Sequence, residues 1–317
     1  MSGVKTERKL VEILRILKEY PEPMGAKRLS ELMAEHGFVL SDRAVQYYLR
    51  SLDDMGFTRK VGNRGRVLTQ SGIAEIESAL VGERIGFIIS KLERLAVRTT
   101  FNPESGTGDV AYNLSYVPYE AEDVVIRAFD QVIEAGCSFF SRYRIIDDDP
   151  RIPAGHVGFI TVCSVTMDGV LQRQGIPVEM KYGGRITIKG EETPSFADLV
   201  AYRGSSIDPL QLFISAGLTS IHDYVTTGTG TVLANVRQVP LPARKSVEEI
   251  AAAMREEGFI FPLQAGERVF NLSREPYRLS IVSFSGMNLI GHAVEIGCPI
   301  RTEIGAGNIP FSRILSR

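Results

Sequence analysis

The chain has 317 residues, 44% of them hydrophobic and 23% charged, with a net charge near −2, a balance that excludes a disordered or fibrous protein and makes two domains the expectation. No apolar run approaches the roughly 18 residues needed to span a bilayer, and the opening MSGVKTERK lacks the apolar core of a signal peptide. The three cysteines, Cys137, Cys163 and Cys298, are scattered and form no metal-type spacing, which fits buried small hydrophobes in a reducing compartment, so a cytoplasmic location is expected.

In chain order, Leu10, Ile13, Leu14 and Leu17 recur at helical spacing until Pro21 and Pro23, and Leu29, Leu32, Met33 and His36 repeat the pattern over a second helix ending at Gly37. His36 reads as a last-turn residue whose partial positive charge suits the helix dipole. A third helix follows in SDRAVQYYLRSLDDMG, with Ser41 as N-cap and Gly56 past its end. Val45, Tyr48, Leu49, Leu52 and Met55 should face the core, which leaves Arg43, Gln46, Tyr47 and Arg50 on the outer side, within reach of phosphates or base edges. Next, FTRKVGNRGRVLT reads as two short strands joined at Gly62-Asn63-Arg64-Gly65. Three helices and such a hairpin make a winged helix-turn-helix, with Arg59, Lys60, Arg64 and Arg66 charging the wing.

From Ser41 to Arg66 there are six basic residues (Arg43, Arg50, Arg59, Lys60, Arg64, Arg66) against three acidic ones (Asp42, Asp53, Asp54), so the local charge is positive although the whole chain is not. Double-stranded DNA attracts such a patch by phosphate neutralisation, and a helix in the major groove supplies sequence reading. Winged helices that dock proteins or RNA share the pattern.

Residues 81–101 continue helically into the polar loop NPESGTGD, and the boundary is placed near residue 82, giving domains 1–82 and 83–317. Beyond it, GFITVCSV, GTVLANVRQV and RLSIVSFS read as buried strands, alternating with helices over 119–135, 209–216 and 246–257. The expected fold class is mixed α/β (α+β). Asp147-Asp148-Asp149, before Pro150, reads as a solvated turn.

Shifted by 122 positions, the stretch from Ile160 lies over the one from Val282: Gly169 meets Gly291, Gly175 meets Gly297, Pro177 meets Pro299 and Gly183 meets Gly305. A duplicated α/β unit would form a pseudo-symmetric domain with a crevice where its halves meet, although glycines in loops also align by chance. Between the copies, VTTGTGTVLANVRQVP supplies the ligand candidates. Thr227, Gly228, Thr229 and Gly230 form a turn whose amides could hold an anion, and Asn235 and Arg237 share one strand face, where the arginine could clamp a carboxylate. Arg203 lies ahead of a helix amino terminus that could attract the same charge. The alternative reading is a hairpin turn with a surface arginine. No catalytic or metal motif joins His156, His222 and His292, so no enzyme active site is expected; a DNA-binding module fused to an enzyme stays open as a second class.

The winged helix, followed by GHVGFITVCSVTMDG, GLTSIHDYVTTGTGTVLANVRQVP and FSGMNLIGHAVEIGCPI, resembles the archaeal nitrogen-regulatory repressor family NrpR over nearly the whole chain. The resemblance implies one DNA-binding domain and one effector domain in a homodimeric repressor of nitrogen-assimilation genes, released from palindromic operators by 2-oxoglutarate and needing no cofactor. Arg203, Arg237 and the 226–231 loop could serve a dicarboxylate. Two features depart from the family: some relatives carry two effector domains, and the expected Gly-Gly-x-Asn-Pro reads here Ser285-Gly286-Met287-Asn288-Leu289. A regulator answering to a different small carboxylate or amino acid fits the same residues.

Overall fold

Leu14 and Leu17 are buried on one side of α1 (Ser2–Glu19) and meet Leu29, Leu32 and Met33 of α2 (Ala26–Glu35) and Val45, Leu49 and Leu52 of α3 (Asp42–Asp54), closing a small core. The computed structural model describes residues 2–78 and 87–315, and the chain divides into two compact units, Met1–Arg84 and Ile85–Arg317. In the first unit Ser41 Oγ accepts a hydrogen bond from the Ala44 amide at 3.3 Å, which satisfies one of the free donors at the start of α3. Strands β1 (Thr58–Val61) and β2 (Gly65–Leu68) form the hairpin, and α4 (Gln70–Ser78) follows.

A third chain segment completes the wing: Met24 and Arg66 exchange backbone hydrogen bonds of 2.9 Å in both directions. Gly65 makes this approach possible, because a Cβ there would lie 2.2 Å from the Met24 carbonyl and its φ is +128°. One expectation is corrected. Met55 is 44% exposed, because α3 ends one residue before it and the apolar stripe ends with the helix. His36 closes α2 as its C-cap, and its Nδ1 lies 2.5 Å from Glu12 Oε1.

The second unit begins with α5 (Phe87–Arg98); the start of the helix expected from residue 81, and the boundary near 82, lie outside the described residues. Seven elements then follow: β3 (Asp109–Pro118), a 3₁₀ turn (Tyr119–Ala121), α6 (Glu122–Glu134), β4 (Tyr143–Ile146), β5 (His156–Val162), α7 (Val165–Arg173) and β6 (Glu179–Lys189). After β7 (Ser195–Ala201), α8 (Pro209–Ser215) and α9 (Ile221–Thr227), the same series returns as β8 (Thr229–Pro240), a 3₁₀ turn (Leu241–Ala243), α10 (Arg244–Glu256), β9 (Gln264–Gly266), β10 (Arg278–Phe284), α11 (Met287–Glu295) and β11 (Arg301–Pro310), closed by α12 (Phe311–Leu315). Tyr119, Glu122, His156 and Val165 each stand 122 positions before their counterparts Leu241, Arg244, Arg278 and Met287, so the repeat spans the whole series and not only its second part.

The two copies are not side by side. One sheet has the order β7-β6-β8-β10-β9 and the other β11-β3-β5-β4, all antiparallel, so each copy donates its last strand to the other's sheet. The cores are pooled in the same way. Phe129 of α6 belongs to one core with Leu289 and Ile290 of α11, while Met167 and Leu171 of α7 belong to the other with Val247 and Met254 of α10. The acidic run before Pro150 is an exposed turn at Asp147 and Asp148, as expected, and only Asp149 is drawn inward. Arg151 donates to Asp149 at 2.7 and 2.8 Å and to the Tyr112 hydroxyl at 2.7 Å, tying the loop to β3 and holding the Asp149 carboxyl below its ordinary range.

Candidate nucleic-acid interface and effector site

On the outer side of α3, Ser41, Arg43, Gln46 and Arg50 are exposed, and Tyr47 is 69% exposed with its ring edge-on to Tyr48 at 5.6 Å. On the hairpin, Arg59, Lys60 and Arg64 are exposed as well. A helix whose apolar side is buried and whose Arg43, Gln46, Tyr47 and Arg50 face outward can reach into a groove, while the wing cations meet the backbone. Arg66 departs from this set. Its Nε is 2.7 Å from Asp53 Oδ2, and Asp53 also accepts from the Thr58 hydroxyl at 2.6 Å, so Arg66 braces the wing against the end of α3.

The distinction is testable. Arg64→Ala should lower the slope of log affinity against log salt for duplex DNA by about one, the effect of one lost phosphate contact. Arg66→Ala should leave that slope in place and lower stability by about 1–2 kcal/mol, as expected for a partly buried charged hydrogen bond. Equal slopes for both variants would remove Arg64 from the interface.

In the larger unit the expected effector residues fall into three places. Thr227, Gly228, Thr229 and Gly230 form the exposed end of α9 and the start of β8. Gly228 is the left-handed C-cap at φ +74°, its amide donating to the Tyr224 carbonyl at 2.8 Å, and Thr227 Oγ1 donates to the Asp223 carbonyl at 2.7 Å. Gly230 is needed for packing, since a Cβ there would lie 2.4 Å from the Ser220 carbonyl oxygen. A helix C-terminus presents carbonyls and the negative end of its dipole, which is the wrong polarity for an anion. The turn is also seven residues from Arg237 along an extended strand, roughly 23 Å, so it is not part of one site with that arginine. Arg203 is exposed in the loop after β7.

Asn235 and Arg237 do share one face of β8, and both are buried. Arg237 is 1% exposed, and its Nε and Nη2 each lie 3.0 Å from an oxygen of Asp168 on α7, which is 0% exposed. The surface arginine of the alternative reading is thereby corrected to an interior one. Burial by itself discourages the charge, but the adjacent Asp168 outweighs it and the guanidinium pKa lies above its ordinary value. Ser164 Oγ, next to the first turn of α7, accepts from Arg237 Nη2 at 3.3 Å and from Asn235 Nδ2 at 3.2 Å, and the Tyr202 hydroxyl donates to Asn235 Oδ1 at 2.9 Å. Nη1 of Arg237 is buried and has no hydrogen-bond partner among the described residues.

Arg237, Ser164 and Tyr202 line a cavity with Asn113, Asp208 and the residues Ser285, Gly286 and Met287 at the start of α11, so both copies of the repeat contribute to its wall. Its free volume of about 10 Å³ is room for roughly one water. Asp208 caps α8 by accepting from the Leu210 and Gln211 amides at 2.8 and 3.2 Å, and burial pushes its carboxyl up.

Sequence reasoning missed Asp168, Ser164, Tyr202 and Asp208. A lone acid inside the apolar stretch TVCSVTMDGVL was the available signal, because an aspartate among residues that go inside needs a cation. Cys163 also lines the cavity, and burial raises its thiol to about 11, which keeps it protonated near neutral pH.

A winged helix with a basic outer face, in one chain with a duplicated α+β unit built around a buried charge pair, defines a DNA-binding module attached to a regulatory domain. The family description "NrpR regulatory domains NRD1 and 2" matches residues 85–316, and that of the "Ribonuclease R winged-helix domain" matches residues 11–76. The chain belongs to the NrpR family. It is 38% identical over 96% of its length to the "Global nitrogen regulator NrpRI" of Methanosarcina mazei, covering 96% of that protein. It is 31% identical to the "Global nitrogen regulator NrpR" of Methanococcus maripaludis over 87% of this chain and 49% of that one. The crystal structure of a nitrogen repressor-like protein from Methanococcus jannaschii aligns with a TM-score of 0.61 at 23% identity, over 73% of this chain and 97% of its own, which shows a shared fold.

Proposed function

We propose that the chain is a cytoplasmic transcriptional repressor of nitrogen-assimilation genes that acts as a homodimer on palindromic DNA and is released by a small carboxylate. The outer side of α3 reads bases through Arg43, Gln46, Tyr47 and Arg50, while Arg59, Lys60 and Arg64 engage phosphates. A pair of modules on two half-sites is how helix-turn-helix proteins reach useful specificity, and this supports the dimer.

The observation that carries the effector site is the buried, unpartnered Nη1 of Arg237, which faces a cavity walled by both copies of the repeat. Asp168 holds the Nε–Nη2 edge of the guanidinium and Ser164 takes a second Nη2 contact, so a carboxylate would bond Nη1 and share or displace Ser164 at Nη2. With room for about one water, the cavity admits a larger ligand only when the first turns of α7 and α11 part. An effector that prefers the parted arrangement would shift the population toward it, and 2-oxoglutarate is the leading candidate. Two buried carboxylates, Asp168 and Asp208, beside one guanidinium favour a second reading in which the ligand is a monoanion.

The deciding experiment titrates a labelled duplex from the gene's upstream region, followed by fluorescence anisotropy, with and without millimolar 2-oxoglutarate. Specific binding weakened by the ligand supports the proposal. Specific binding that ignores 2-oxoglutarate but yields to a monocarboxylate transfers the site to the second reading, and failure to exceed a random duplex counts against the regulator on that promoter.

A further inference from the structure

Gln238 follows Arg237 on β8, so its side chain leaves the opposite face of the sheet. It is 3% exposed, and among the described residues its Oε1 has no hydrogen-bond partner, while Nε2 makes a long 3.5 Å contact with Ser280 Oγ. A buried orphan acceptor costs stability unless something satisfies it. Here it lies in the wall of a cleft of about 230 Å³, far larger than the space beside Arg237. The segment from Asn271 to Glu275 lines the cleft and is tied to β7 by Asn271, whose Oδ1 accepts from the Phe196 amide at 2.8 Å and whose Nδ2 donates to the Phe196 carbonyl at 2.9 Å.

We propose that this cleft is a second small-molecule site, separate from the one at Arg237, and that it takes a small primary amine or carboxamide. The lining sets the chemistry. Gln238 Oε1 needs an N–H donor, and Ser280 and Ser273 add hydroxyls. Glu275 supplies a carboxylate at the rim, held at 3.2 Å by Lys181, whose side chain is not part of the wall. Among the described residues no lysine or arginine lines the cleft, so an anion would meet the Gln238 acceptor with no cation in the wall, Lys181 being engaged with Glu275. Phe196, Leu199 and Val236 provide apolar surface for a short hydrocarbon body. A volume of this size suits a ligand smaller than a drug-sized molecule.

Three probes of one shape test this on the full-length, ¹⁵N-labelled protein: n-butylammonium, butyramide and butyrate. The first two should give saturable shifts centred on the amides of Gln238, Ser273 and Ser280, and butyrate should bind at least about tenfold more weakly. Gln238→Leu keeps the volume and removes the orphan acceptor, so it should reduce binding by about tenfold or more without lowering Tm. Ala197→Phe places a ring at the exposed mouth and should block the same shifts. Absence of a saturable shift up to about 20 mM, butyrate binding as tightly as the amine, or binding that survives both variants would each overturn the proposal. Should Gln238→Leu destabilise the fold, Ala197→Phe decides alone.

Discussion

Arg237→Leu is expected to lower the stability of the larger unit by about 3–5 kcal/mol, because it leaves the Asp168 carboxyl, 0% exposed and pushed up by burial, without its partner. Such a loss is a large share of the 5–15 kcal/mol that usually holds a domain together. Urea unfolding followed by circular dichroism should show the transition of the larger unit moving while that of the winged helix stays in place. Asp168→Leu combined with Arg237→Met should recover most of the loss, since replacing both members of a buried pair by apolar groups removes the desolvation cost as well as the attraction. If the single variant is as stable as the parent, the pair is not the tie between α7 and β8 described above. The effector reading adds a separate expectation: in a stable Arg237 variant, DNA binding should no longer respond to the carboxylate.

Arg43→Ala is expected to weaken specific DNA binding by about 1–3 kcal/mol, the worth of a good base contact, and to change random-sequence binding far less. The reason is its place in the first turn of α3, two residues after the Ser41 cap, since in helix-turn-helix proteins it is the N-terminal residues of the recognition helix that contact base edges. Anisotropy titrations of operator and scrambled duplex at one salt concentration measure the difference. An equal loss on both would assign Arg43 to phosphate, and no loss on either would remove it from the interface.

What the amino-acid sequence determined by itself is local or periodic. The spacing of Leu14, Leu17, Val45, Leu49 and Leu52, the Ser41 cap and the glycine-bounded turn before Arg66 dictate the winged helix, because each acts over a few residues. The shift of 122 positions revealed the repeat, since copies of a folding unit keep their turns. It could not reveal that β6 and β11 change places, because strand pairing between distant segments depends on which edges are open once the helices have packed. The site divided along the same line. Period-two alternation correctly placed Asn235 and Arg237 on one face of β8. Whether that face looks to solvent or to the interior was decided by α7, a helix of the other repeat copy, which brings Asp168 and Ser164 against it. The threonine and glycine turn misled for a related reason: its composition suits an anion cradle or a helix C-cap equally, and only the course of α9 into β8 shows that carbonyls, not amides, are presented there. Charge pairing and cavity walls are properties of elements that meet in space, and so the tertiary structure alone could assign them.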